Sequence, residues 1–274
     1  MAQSKNNIDI SPYPNNIATV LEYQPFDLGK IRELPTKTII RISGLAGAGK
    51  GTISKLLCDK LDLINLETSY ILRSATWIYE SLGLEFNDDN TAKVFEQIEI
   101  SLPNKSLEFR WKGVLLTDKE LRSNLVQQNV ARNSGNPFFR SQYYAKISFV
   151  LNNLINSPVI LDGRGFNTPY INQAKKDGFD ILCFFFWVSD ESNYERYRSA
   201  YAKRNKITEI TQQIELGIMI EFKKNIQDRN YQDYINAEEN NLGAIIPESY
   251  VVETSNLNPE QVLEVVVNMI FDKK

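Results

Sequence analysis

The chain has 274 residues, 42% hydrophobic and 24% charged, enough apolar sequence for one large domain or a core carrying insertions. A net charge of −3 excludes the overall basic field that holds a nucleic-acid backbone, while leaving room for a local basic pocket around a small anion. The chain contains no histidine, which excludes a Ser-His-Asp triad, a His-assisted cysteine nucleophile and a His zinc site. Phosphoryl transfer survives that exclusion, because it depends on positioning and on cations that stabilise phosphate charge.

In chain order, residues 1–35 read as an N-terminal arm rich in Asn, Pro and Tyr, without a sustained period or a secretory pattern. Residues 36–274 read as one domain. Thr36 to Ser43 is a β-branched run that ends in glycines, a parallel strand feeding a loop. Lys50 to Leu61 places Ile53, Leu56, Leu57 and Leu61 on one helix face. Leu63 to Leu66 reads as a short strand and Tyr70 to Leu82 as a second helix. Residues 87–134 break the rhythm with an alternating piece, Leu107 to Leu116, and suggest an inserted subdomain. Further strands are expected at Val159 to Leu161, Ile181 to Val188 and Tyr250 to Glu253. A charged helical stretch, Tyr194 to Asn236, and a last helix, Pro259 to Phe271, complete the pattern. Continuously apolar strands separated by helices indicate a parallel sheet covered on both faces. Cys58 and Cys183 fall in a helix and a strand, as small buried hydrophobes of a reducing cytosol. The longest apolar run, Ile181 to Val188, is far too short to cross a bilayer. A cytoplasmic location, with no membrane and no polymeric nucleic acid as partner, is the expectation.

The chemistry centres on Gly44-Leu45-Ala46-Gly47-Ala48-Gly49-Lys50-Gly51-Thr52, between an expected strand and an expected helix. Glycines let successive backbone N–H groups converge on an anion, the helix N-terminus adds partial positive charge, and Lys50 is placed to reach the β- and γ-phosphates. The general pattern has Ser or Thr directly after the lysine; here Gly51 stands there and Thr52 follows. The competing reading is a glycine-rich strand-to-helix turn with an incidental lysine.

The Gly-Lys-Gly-Thr variant is similar to that of nucleoside monophosphate kinases, and later segments narrow the resemblance to the bacterial cytidylate kinase family. The family's Asp-Thr/Ser-Gly-x-x-Tyr-Arg appears as Glu67-Thr68-Ser69-Tyr70-Ile71-Leu72-Arg73. Its Asn-Gly-x-x-Val-Thr-x-x-[Ile/Leu]-Arg appears as residues 112–122, from Lys112-Gly113 through Thr117 to Leu121-Arg122. Its Asp-Gly-Arg-Asp-x-Gly-Thr appears as Asp162-Gly163-Arg164-Gly165-Phe166-Asn167-Thr168, and its Arg-Asp-x-x-Asp-Arg-x-Arg as residues 229–236. The motifs follow in order from about Thr38 to the C-terminus and leave the arm outside.

This resemblance implies a P-loop kinase fold: three α/β/α layers with a parallel central sheet, an inserted nucleotide-binding subdomain over 86–142 and a helical lid over 194–215. It implies transfer of the ATP γ-phosphoryl to a small phosphorylated acceptor resembling (d)CMP. Mg²⁺ would arrive with ATP and need no all-protein metal site. Catalytic roles would fall to Lys50, Arg164 and Arg196. ATP would be held by Gly44, Ala46, Gly47, Ala48, Gly49, Lys50, Gly51 and Thr52, with Arg204 from the lid. The acceptor would be held by Thr68, Arg73, Arg140, Asp162, Arg164, Arg229 and Asp233. Arg198 and Lys203 belong to the same lid cluster of candidate phosphate contacts, which as a solvated helix face would have no such role.

The base-reading side departs from the family. Gly165 replaces the second aspartate of Asp-Gly-Arg-Asp, Ala131 a serine, Leu72 the tyrosine before the arginine, and Asn236 the last arginine. Arg140 keeps a family arginine that approaches the base edge. The chemistry is therefore expected to persist with an altered choice of acceptor. Two alternatives stay open: a kinase of the same fold for a different acceptor, and a catalytically silent nucleotide-binding regulator. A GTPase is disfavoured, because Asn205-Lys206 is followed by Ile207-Thr208 rather than by a guanine-reading motif.

Overall fold

The computed structural model describes residues 20–21, 23–26, 31, 33–105, 107–162, 168–228, 230 and 249–272. After a two-residue strand β1 (Val20–Leu21) come β2 (Thr38–Gly44), α1 (Lys50–Leu61), β3 (Ile64–Glu67) and α2 (Ser69–Leu82). The region between the second helix and the next long strand holds α3 (Asp88–Glu96), β4 (Ile98–Ser101), β5 (Glu108–Trp111), β6 (Val114–Leu115), α4 (Asp118–Leu121), α5 (Asn124–Gly135) and α6 (Pro137–Asn153). The chain then returns to the core as β7 (Val159–Asp162), α7 (Thr168–Lys176), β8 (Asp180–Trp187), α8 (Asp190–Arg204), α9 (Gln212–Phe222), β9 (Tyr250–Glu253) and α10 (Pro259–Asp272).

The central sheet is parallel, in the order β1-β9-β8-β2-β7-β3. All residues of β2 are buried, as a strand covered on both faces requires. Ile40 and Ile42 pack with Ile53 and Leu57 of α1 and with Val262, Val266 and Ile270 of α10. Ile39 joins the other face, with Ile71 and Ile78 of α2 and Phe139, Tyr143 and Ile147 of α6. Arg41 interrupts that second face. It is fully buried opposite Cys183 and Leu161, and its Nη1 donates to Ser43 Oγ at 2.8 Å. The Ser43 hydroxyl in turn donates to Phe184 O at 3.2 Å. Burial pushes the Arg41 pKa down, a cost offset by the nearby Cys183, Tyr144 and Tyr143 side chains.

The alternating piece over 107–116 folds back on itself as β5 and β6, antiparallel to each other, with β4 on the outer side of β5. Lys112 and Gly113 both have positive φ, 51° and 74°, which a two-residue hairpin turn of this hand demands. The described part of the N-terminal arm is docked on the domain. Val20 and Leu21 pair with Val251 and Val252, and Phe26 is buried with its ring stacked on Phe271. Among the described residues, no helix is long and apolar enough to cross a membrane. Neither cysteine is in a disulfide; Cys183 is buried, and partial burial pushes the Cys58 thiol up to about 12, away from reactive chemistry.

Candidate active site

A parallel sheet brings the carboxyl ends of its strands to one edge, and ligands bind where the connections diverge. Here the diverging strand is β2, between β7 and β8. Gly44 after β2, Glu67 and Thr68 after β3, and Asp162 at the end of β7 all meet at that edge.

The glycine loop leaves β2 under tight geometric demand. Gly44 has φ 142°, and a Cβ there would lie 2.2 Å from the Phe186 carbonyl oxygen. Gly47 has φ 84°, and its Cβ would fall 1.9 Å from Asn193 Oδ1. No other residue type fits either position without moving its neighbours. The loop delivers the chain into α1, whose N-cap is Gly49 with no side-chain cap. Helices α3, α5, α6, α8 and α9 instead begin with Asn, Ser or Thr side chains that accept a backbone N–H. The first intrahelical bond of α1 is Ile53 N–H to Gly49 O. No side chain caps that first turn, and the helix dipole stands behind it.

Lys50 lies over the loop: its Nζ donates to Gly44 O at 3.0 Å and Leu45 O at 2.9 Å. The Asp162 carboxylate stands beside the first turn of α1, with Oδ2 3.9 Å from where a Gly51 Cβ would be. Gly51 thus leaves open the space where the general pattern has Ser or Thr.

On the other side of the edge a charged cluster forms around α2. Arg73 is half-buried and its Nη1 donates to Leu121 O at 3.0 Å. Burial lowers its pKa first, and the adjacent Arg122 guanidinium lowers it further. Arg122 donates from Nη2 to the Tyr70 hydroxyl at 2.6 Å, and Tyr70 donates to Asp118 Oδ1 at 2.5 Å. Glu67 lies 3.7 Å from Arg122; burial raises its pKa, Arg122 lowers it, and Asp162 raises it. Two guanidinium groups are therefore held close to each other among carboxylates, an arrangement suited to binding a dianion. Arg122 was absent from the site residues expected from sequence, although it is the last residue of the matched segment 112–122. That position in the motif was the available signal.

Thr68 is buried at the start of α2 and hydrogen-bonds the Tyr143 side chain. Arg140 sends Nε and Nη2 to Ser134 O at 3.1 and 2.8 Å, with its charge near the Tyr144 hydroxyl. Asn133 is buried and donates to Thr76 Oγ1 at 3.4 Å. Arg164, Arg229 and Asp233, together with Gly165 and Asn236, lie outside the described residues.

The lid arginines are placed differently from the expectation. Arg196, assigned to catalysis from sequence, donates to Thr254 Oγ1 at 3.3 Å, to Thr254 O and to Ser255 O at 3.4 Å. It is a half-buried strut between α8 and the loop after β9, because those carbonyls satisfy a guanidinium that burial would otherwise penalise. Arg198 pairs with Glu215 of α9, Nε to Oε2 at 2.9 Å. Lys203 and Arg204 are exposed in the last turn of α8, and Arg204 stacks over the Tyr201 ring at 5.5 Å.

Asp162 and Thr52 supply hard oxygen donors beside the loop, which suit Mg²⁺ carried in by a nucleotide better than a softer metal.

Comparison with known proteins agrees with this architecture. A sequence model described as cytidylate kinase matches residues 40–272. The cytidylate kinase of Fusobacterium nucleatum subsp. nucleatum is 25% identical over 240 residues, covering 85% of this chain and 96% of that protein. The cytidylate kinase of Leuconostoc mesenteroides subsp. mesenteroides is 28% identical over 196 residues, covering 71% and 80%. A solved shikimate kinase from Bacteroides thetaiotaomicron aligns over 86% of this chain and 98% of its own, at 12% identity and a TM-score of 0.36. That superposition is too loose to carry an argument. The family match spans the glycine loop, the arginine cluster and the last helix alike, and the chain belongs to the cytidylate kinase family.

Proposed function

We propose that the protein transfers the γ-phosphoryl group of ATP to a nucleoside monophosphate, with a base preference looser than, or different from, strict selection of cytosine. The observation that carries the first half is the pairing of two cationic sites at one sheet edge. One is the uncapped α1 terminus with Lys50, the other the Arg73–Arg122 pair. A donor and an acceptor phosphate held at those sites would meet over the end of β2.

In this reading the chain supplies position and charge. Lys50 leaves its own loop carbonyls for the β- and γ-phosphate oxygens, and the α1 amides hold the anion at the helix N-terminus. Arg73 and Arg122, joined by Arg164 and Arg229, aim the acceptor phosphate in line. Asp162 and Thr52 would hold Mg²⁺, which neutralises phosphate charge when bound. Helix α8 carries the lid cations; Arg196 would have to release Thr254 and Ser255 to act on a phosphate.

The second half rests on side chains that cannot bond a base. Leu72 of α2 packs against the core, and Gly165 has no side chain to offer. Asn133 is engaged with Thr76 and Arg140 with Ser134, so a base reaching either would have to compete with those bonds. Steady-state rates with ATP against each common ribo- and deoxyribonucleoside monophosphate test both halves. Comparable kcat/KM for several bases is expected. Strong selectivity for cytidine monophosphate would overturn the looser preference, and no transfer to any monophosphate would overturn the activity.

A further inference from the structure

The glycine loop is gripped from outside through the backbone of one residue. Asn230 Oδ1 accepts the Ala46 N–H at 2.8 Å, and Asn193 Nδ2 donates to the Ala46 carbonyl at 2.8 Å. Both backbone groups of Ala46 are thereby satisfied by carboxamides from distant parts of the chain. Asn193 is on the first turn of α8 and almost fully buried, although asparagine is seldom buried without a specific partner. Asn230 follows the π-turn Lys223–Gln227 that continues α9. A separate measure of the same contact is Gly47, where even a methyl group would overlap Asn193 Oδ1. The loop has therefore been shaped around Asn193 by both its hydrogen bonding and its bulk.

The polarity of the two contacts is specific. Asn193 must present its nitrogen and Asn230 its oxygen, so the peptide groups on either side of Ala46 are each held in one orientation. The turn that follows, Gly47 to Gly51, leads into the N-terminus of α1, the end read as the donor-phosphate site. Helix α8, which bears the lid cations, and the extension of α9 reach the loop through these two side chains.

We propose that Asn193 and Asn230 are positioning residues for the donor nucleotide: they fix the peptide groups on either side of Ala46, and through them make the phosphate-binding shape of the loop depend on where α8 and the α9 extension sit. By linkage, whatever moves those helices changes ATP affinity, and bound ATP holds the helices in place. This inference rests on the reading of the loop as an ATP site, so its test includes a control for that reading.

The experiment measures ATP affinity by calorimetry and the separate KM values for ATP and acceptor, with melting curves to confirm folding. The variants are Asn230→Ala, Asn230→Ser, Asn193→Asp, Lys50→Ala and the double variant Asn193→Ala/Asn230→Ala. Asn230→Ala removes the acceptor of a loop amide and should weaken ATP about five- to fiftyfold, with the acceptor KM changed less than twofold. Asn230→Ser can still accept through its hydroxyl and should recover part of the loss. Asn193→Asp has the same shape but turns an oxygen on the Ala46 carbonyl, and should weaken ATP more than Asn230→Ala. In the double variant the losses should be less than the product of the two single effects, because both residues hold the backbone of Ala46. Folded variants with wild-type ATP affinity, beside a Lys50→Ala that has lost it, would overturn the inference and leave the ATP site standing. Equal losses in ATP and acceptor binding would also overturn it, by showing a general structural role. A wild-type protein that binds no ATP would overturn the reading of the loop itself, and the inference with it.

Discussion

Replacing Arg73 by alanine separates acceptor binding from stability more cleanly than any other change at the site. Among the described residues the side chain makes one bond, from Nη1 to Leu121 O at 3.0 Å, worth about 1 kcal/mol net. Against that, the nearby Arg122 guanidinium lowers its pKa, so removing Arg73 relieves a repulsion. The two effects offset, and stability should change by less than about 1 kcal/mol. On a bound phosphate dianion there is no such offset. Losing a charge-assisted fork should cost about 1.5–3 kcal/mol, about a ten- to hundredfold fall in kcat/KM for the acceptor. Arg73→Lys keeps the charge without the planar fork and should fall between wild type and alanine. A coupled assay of ADP release, with ATP and acceptor varied in turn, gives both KM values; a melting curve gives stability. Equal losses on the ATP and acceptor sides, or none on either, would refute the assignment of Arg73 to the acceptor phosphate.

Other consequences follow from the same geometry. Gly44→Ala places a methyl group against the Phe186 backbone, which has no rotamer to yield, and should cost about 3 kcal/mol or more, read as a large drop in melting temperature or insoluble expression; an unchanged melting temperature would contradict it. The Tyr194 hydroxyl and then Arg198 hold the Glu215 carboxyl below its ordinary value of 4.5. A depressed carboxylate pKa contributes stability that is complete above about 4.5 and is lost as pH falls through the lowered value. The melting-temperature gap between wild type and Glu215→Gln should therefore close on acidification, and a gap independent of pH would contradict the pairing of α8 with α9. Gly165→Asp should shift the relative kcat/KM toward cytidine monophosphate if the pocket keeps cytosine's shape, and no shift would place base selection elsewhere.

The regular elements of the core were legible because their patterns are local. The span 50–61 reads as a helix and folds as one, and the expected strand at Tyr250 to Glu253 is β9. Apolar runs marked β7 and β8 to within a residue of their ends. The strand β1 was invisible, since two residues have no period and Val20 pairs only because β9 offers it an open edge. Arg41 did not announce its burial either; that follows from its place between Leu161 and Cys183 in the sheet.

At the site, the glycine loop carried its own signature and the arginines were visible as members of matched segments. What sequence could not supply was direction. Arg196 falls in the expected lid yet points to Thr254 and Ser255, because helix rotation and the reach of a long side chain settle that contact. Asn193 had no signal, and Asn230 stood only as a departure within the matched segment 229–236; both acquire meaning when tertiary packing brings them to the backbone of Ala46.

The most direct test of the account is transfer of label from γ-labelled ATP, with Mg²⁺, to a panel of unlabelled nucleoside monophosphates, separated by chromatography, for wild type and Lys50→Ala. The account predicts labelled nucleoside diphosphate from the wild-type protein, with more than one base accepted, and none above background from a folded Lys50→Ala. Wild-type protein that binds ATP and leaves every monophosphate unlabelled would contradict it and favour a silent nucleotide-binding role. Undiminished transfer by Lys50→Ala would show that the glycine loop is not where the donor phosphates are held.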